Sequence, residues 1–194
     1  MDLLWLDGDL VIAGPDTHAY ISTPHRQEPV TGIRLSGGVG PAAIGVPAHE
    51  VRNLRVPARE VWGARTATAL REQVAAADAI ECELERIIGT RLERRQPDPV
   101  MRQVDAMARS GYATSAIARA AGLSERQLRR RTHVAFGYGV KTLSRIHRFN
   151  AALDLAREGV PLVDAAAQAV YADQPHFTRE ARALTGEPLS ALLR

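Results

Sequence analysis

The chain has 194 residues, 45% of them hydrophobic and 24% charged, with a formal net charge of +3. No apolar run approaches the ~18–20 residues that span a membrane, and a single cysteine, Cys82, excludes an internal disulfide and a cysteine-based zinc site. Asp2 follows Met1 directly, so no secretory signal opens the chain and the cytoplasm is the expected compartment.

The charge is unevenly spread. Residues 1–97 carry 11 Lys+Arg against 13 Asp+Glu, whereas residues 98–194 carry 14 against 9. Opposite signs in the two halves are expected where only the second approaches phosphate. Lys141 is the only lysine, so a single arginine is less informative here than in most chains.

In chain order, residues 3–6 and 10–13 predict a β-hairpin around Asp7-Gly8-Asp9. Further short strands are expected at 18–22 and 31–35. The stretch Ser36-Gly37-Gly38-Val39-Gly40-Pro41 lacks the spacing and trailing lysine of a phosphate loop and reads as a turn. His18, His25 and His49 have no acidic ligand at matching positions, so surface or core histidines are preferred to a metal site. From Pro41 the pattern changes to short helices.

Residues 66–95 read as two helices. Ala69, Leu70, Val74 and Ala77 share one face of the first, and Ile80, Leu84, Ile87, Ile88 and Leu92 share one face of the second. These faces suit packing on the chain's own sheet. Gln96-Pro97-Asp98-Pro99 is the expected linker, since two prolines stop the helix.

Residues 112–137 read as a helix-turn-helix. Thr114 or Ser115 is expected to cap the first helix, Gly122 makes the turn, and Ser124 with Gln127 completes a capping box for the second. Ala118, Gly122 and Leu128 supply a small residue at closest approach, a turn and a core contact. Ile117 and Leu123 join that core, while Arg126, Arg129, Arg130 and Arg131 are expected outside. Val140, Leu143, Ile146, Phe149, Ala152, Leu153 and Ala156 then give a long helical stripe over 138–158. A helix of about 30 Å at 1.5 Å per residue approaches one turn of B-DNA, about 34 Å.

Residues 171–186 follow a short apolar helix at 163–169. Asp173 and Gln174 suit a turn or cap, and Pro175 suits the first position of a new helix. Phe177, Ala181 and Leu184 lie on its inner face. Gln174, His176, Thr178, Arg179 and Arg182 lie on or near the outer one.

The run Ala-Asp-Gln-Pro-His-Phe-Thr-Arg-Glu at 172–180, with Arg182, Thr185, Gly186 and Pro188 behind it, resembles the signature of the AraC/XylS family of bacterial transcription regulators. Residues 116–131 are similar to that family's first helix-turn-helix. More weakly, residues 41–63 resemble the end of a sensory domain found in some of its members, here shortened. The resemblance implies a mainly α protein. Its C-terminal domain at 99–194 would be all-α, with two helix-turn-helix units at about 113–136 and 162–186 joined by a linker helix. A small α+β domain at 1–96, with a partial β-barrel or sheet, would precede it.

The implied function is a sequence-specific DNA-binding transcription regulator, with recognition helices in two successive major grooves and an N-terminal domain for effector sensing or dimerisation. A site of roughly 15–20 base pairs could be read by one chain. The implied partners are double-stranded DNA, RNA polymerase, a second copy through 66–95 and an unidentified small-molecule effector, with no membrane, metal or cofactor. The DNA-binding residues would be Ser124, Arg126, Gln127, Arg129 and Arg130 in the first unit, and Gln174, His176, Thr178 and Arg179 in the second. Arginine reads guanine bidentately, although each arginine could equally hold a phosphate.

Two positions depart from the family pattern. Val170 stands where relatives place a glycine before the turn, and Val140 stands where they place a proline. A β-branched residue at 170 is strained if the turn needs positive φ. The alternative function is therefore an interaction or structural protein with degraded DNA binding. An enzyme is not expected. DNA-repair methyltransferases join a similar unit to reactive cysteines, but Cys82 is alone in an acidic stretch, and no Ser-His-Asp set or carboxylate pair stands out.

Overall fold

The computed structural model describes residues 1–18 and 30–193. The protein is mainly helical, with a small antiparallel sheet near its N-terminus. Strands β1 (Asp2–Leu6) and β2 (Asp9–Ala13) form the expected hairpin. Positive φ at both Asp7 (49°) and Gly8 (74°) makes its two-residue turn type I′, whose twist matches the strands. Strand β3 (Thr31–Arg34) pairs with β1, and β4 (Arg55–Pro57) pairs with β2, giving the order β3-β1-β2-β4. The sheet is open. Apart from His18, the strand expected at 18–22 lies outside the described residues, as does His25.

The period-2 pattern puts Leu3, Leu10 and Ile12 on one face, fully buried. Helices α1 (Gly40–Ile44), α2 (Ala58–Trp62), α3 (Ala64–Ala75) and α4 (Ile80–Arg94) cover that face. Leu84, Ile87 and Ile88 of α4 are buried as their spacing requires. On α3 the inner face is Ala67, Leu70 and Val74, not the expected Ala69 and Ala77. The helix ends at Ala75, and Ala69 faces solvent, because Ala67 lies three residues before Leu70 and seven before Val74. Arg91 stacks on Trp62 (4.2 Å) and donates to the carbonyls of Ala43 (2.5 Å) and Ile44 (2.9 Å) at the end of α1. The Trp62 indole also donates to Ile44 (2.7 Å), which ties the short helices together.

Two further apolar clusters lie in the second half. Helices α5 (Pro99–Arg109), α6 (Thr114–Ala120) and α7 (Glu125–Phe136) build the first around Val104, Ile117 and Leu128. Helices α9 (Leu162–Gln168), α10 (Gln174–Thr185) and α11 (Leu189–Leu192) build the second around Phe177 and Ala181. Helix α8 (Val140–Arg157) serves both: Val140 and Leu143 pack in the first cluster, Phe149 and Ala152 in the second. Val140 sits buried in the first turn of α8.

The N-terminal half packs against the C-terminal end of α7. The 3-10 turn Ala48–Glu50 lies on that helix, and Gly137 sits close to Pro15 and Ala48. A cleft of about 390 Å³ opens where Asp2, Arg34 and Gly37 meet Asp105, Tyr138 and His147. Burial first, then Asp105 and Asp16, pushes the Tyr138 hydroxyl up to about 12. Among the described residues no helix is long and apolar enough to cross a membrane.

Candidate nucleic-acid interface

The first helix-turn-helix is built from local chemistry. Ala113, not Thr114 or Ser115, occupies the N-cap of α6 and makes no side-chain cap bond, because the helix already begins at Thr114. Gly122 turns the chain at φ 66°, and the Leu123 amide donates back to Ala118 (2.9 Å). Ile117, Ala118 and Leu128 are buried and Leu123 is half-buried, so α7 is held against α6 by the residues whose spacing marked them.

At the start of α7 the capping box forms in full. The Gln127 amide donates to Ser124 Oγ (3.2 Å), and the Ser124 amide donates to Gln127 Oε1 (2.8 Å). Ser124 and Gln127 thus hold the helix end. Arg126, Arg129 and Arg130 are exposed on the outer face, and among the described residues none of them forms an ion pair. Arg131 differs from the expectation. It is half-buried and bonds Asp98, the N-cap of α5, so its charge is used within the protein.

A cleft of about 490 Å³ runs beside these arginines, lined by Thr114, Arg126, Arg129, Gly139, Lys141 and Thr142 among others. Lys141 and Thr142 belong to the first turn of α8, and no side chain caps that helix end. Its free amides and the positive end of its dipole favour an anion. Neither residue was expected at the interface. The available signal was that the chain's one lysine sits at a helix start.

The second unit repeats the plan. Asp173 caps α10 by accepting from the His176 amide (2.6 Å), with Gln174 first in the helix and Pro175 second, one place later than expected. Phe177, Ala181 and Leu184 are buried. Gln174, Pro175, Thr178 and Arg179 form one shallow surface, with Thr178 and Arg179 exposed. His176 turns aside, half-buried with its ring edge-on to Tyr171 (5.2 Å). Val170 has φ 60° and is 78% exposed, so the turn keeps its left-handed geometry and a β-branched side chain occupies it.

An electrostatic brace fixes α10 to α8. Glu180 accepts from Arg145 (2.8 and 3.1 Å) and lies 3.8 Å from Arg148, whose guanidinium covers the Tyr171 ring at 4.4 Å. The Arg145 hydrogen bond outweighs burial and holds the Glu180 carboxyl below its ordinary value. The outer face of α10 is therefore set by α8 as well as by its own apolar stripe.

A family model described as a helix-turn-helix domain matches residues 117–194. The match supports an AraC-like helix-turn-helix domain in this part of the chain. The match runs from within α6 to the last residue and takes in α7, α8 and α10. It supports a DNA-binding regulator, and a regulator rather than an enzyme. No curated protein and no solved structure matches the chain.

Proposed function

We propose that the protein is a sequence-specific transcription regulator that sets α7 and α10 into two successive major grooves on one face of duplex DNA. The observation that carries this reading is α8. It contributes side chains to both helix-turn-helix cores, so the two units hang on one rigid element. Its 18 residues amount to about 27 Å, close to the pitch of B-DNA. Arg126, Arg129 and Arg130 would read the first half-site, favouring guanine. Gln174, Thr178 and Arg179 would read the second, while Ser124, Gln127 and His176 shape the helix starts. Residues 1–96 would sense an effector or mediate dimerisation, and residues 99–194 would bind DNA and meet RNA polymerase. The apolar stripes of α3 and α4 are covered by the sheet, so a homodimer through 66–95 would use their polar outer faces.

Selection of binding sites from random duplex DNA tests this reading, using the whole chain, Arg129→Ala and Arg179→Ala. The expected result is a bipartite site, its halves about one helical turn apart, each degraded by one substitution. A single half-site indifferent to Arg179→Ala would remove the second unit from base reading. No enrichment would leave the chain as an interaction protein.

A further inference from the structure

The first recognition helix presents Arg126, Arg129, Arg130 and His133 at i, i+3, i+4 and i+7, one continuous basic face. That face does not end with the helix. The 3-10 turn at Ala48–Glu50 and the residues just behind it come from the N-terminal half, and the turn lies against α7. It is held firmly. Ala48 and Val51 are buried, Asn53 donates its amide to Pro15 (3.1 Å), and Gly14 donates its amide to Leu54 (3.0 Å). His49 Nδ1 donates to the His133 carbonyl oxygen (3.2 Å), and Arg52 Nη1 donates to the Gly137 carbonyl oxygen (3.2 Å). Both side chains remain exposed at that end of α7.

Among the described residues no ion pair forms at that end of α7, where Glu50 is the one carboxylate of the 3-10 turn. In the N-terminal half Arg34, Arg55, Arg59 and Arg86 each pair with a carboxylate. Among the described residues no carboxylate pairs with Arg52, His49 or His133. Burial first, and then the neighbouring charges of Arg129, Arg52 and His49, lowers the proton affinity of His133. The fixed charge there is that of Arg52, which continues the row of Arg126, Arg129 and Arg130, and such a row attracts a polyanion.

We propose that Arg52 and His49 extend the DNA interface onto the N-terminal half, where Arg52 holds a backbone phosphate beside the site read by α7. The proposal rests on the DNA-binding reading given above. It makes the N-terminal half part of the reader, so a shift of that half on α7 would alter affinity directly. A phosphate contact carries no base preference.

The test is the salt dependence of binding by the full chain to a labelled mixed-sequence duplex three turns long, for wild type, Arg52→Gln, Arg52→Lys and Arg129→Ala. Arg52→Gln is expected to lower the slope of log affinity against log salt by about 1, which is roughly tenfold in affinity near 0.1 M salt. Arg52→Lys is expected to restore the slope, because it keeps the charge. An arginine that only caps α7 would instead change the melting temperature and leave the slope alone. If Arg129→Ala reduces the slope and Arg52→Gln does not, the extension is wrong while the DNA-binding reading stands. If wild type shows no salt-dependent binding, both fail.

Discussion

Asp98 joins two helices through its two carboxylate oxygens: Oδ1 accepts from the Val100 amide (3.1 Å) at the start of α5, and Oδ2 accepts from Arg131 Nε (3.0 Å) on α7. The residue that ends the segment between α4 and α5 therefore also fixes α7. Asp98→Ala should cost about 1–2 kcal/mol, mostly from the lost cap. Arg131→Ala should cost less than about 1 kcal/mol, since the pair is one-third exposed and screened. Urea unfolding measures both. Site selection with Arg131→Ala should return the wild-type DNA sequence, and a changed sequence would place Arg131 among the base-reading residues.

Val170 is expected to be a point of removable strain. Its amide donates to Ala167 (3.0 Å) while its φ is 60°. Left-handed geometry costs an L-residue about 1–2 kcal/mol, partly offset in Val170→Gly by the freer unfolded chain. The net gain should be about 0.5–1 kcal/mol, read as a rise in melting temperature. Val170→Pro should destabilise, because it removes the amide and forces φ negative. A melting temperature lowered by the glycine would show that the valine side chain contributes contacts worth more than the strain.

The brace between α8 and α10 should be pH-dependent. Hydrogen bonding from Arg145 keeps the folded-state value of Glu180 below the unfolded one, which is about 4.3. Its stabilisation is then complete above that pH and is lost as pH falls through the lower folded value. Glu180→Gln should lower stability by about 1 kcal/mol at neutral pH, and the gap to wild type should close as the pH falls below the ordinary glutamate range. Thermal melts of both proteins across that range measure it. A constant gap would mean that the ionised pair is not the source.

Gly137 should be the more demanding of two glycines with similar backbone geometry. Gly137 (φ 84°) and Gly111 (φ 76°) are both left-handed, but a Cβ on Gly137 would lie 2.5 Å from Pro15 Cγ and 3.3 Å from the Ala48 carbonyl oxygen, whereas nothing lies within 4 Å at Gly111. Gly111→Ala should cost about 1–2 kcal/mol from backbone strain alone. Gly137→Ala should cost about 1–3 kcal/mol more from the clash between halves. Equal losses in urea unfolding would show that the two halves part there at little cost.

The residues themselves determined what depends on near neighbours. Ser124 and Gln127, three positions apart, specified a helix start that forms in full. Asp173 and Phe177, with Ala181 and Leu184, specified α10 and its buried face. The turn at Asp7-Gly8 fixed the register of β1 on β2. These rest on hydrogen bonds and side-chain spacings within a few residues, which a linear chain displays directly. Helix α5 was equally local, announced by Asp98 and Pro99 and by the spacing of Met101, Val104 and Ala108, yet no helix was expected over 99–109.

Other features were decided by tertiary structure. Strand β4 is three residues long and exists because Ile12 and Val56 pair across the sheet. Arg131 looks identical to Arg130 in the sequence, and only the approach of Asp98 withdraws it from the outer face. His176 leaves the outer face of α10 because the Tyr171 ring lies beside it. The seat of α7 on the 3-10 turn brings His49 to His133 across 84 positions. No periodicity encodes such pairs, because each depends on surfaces that become neighbours only after both cores have formed.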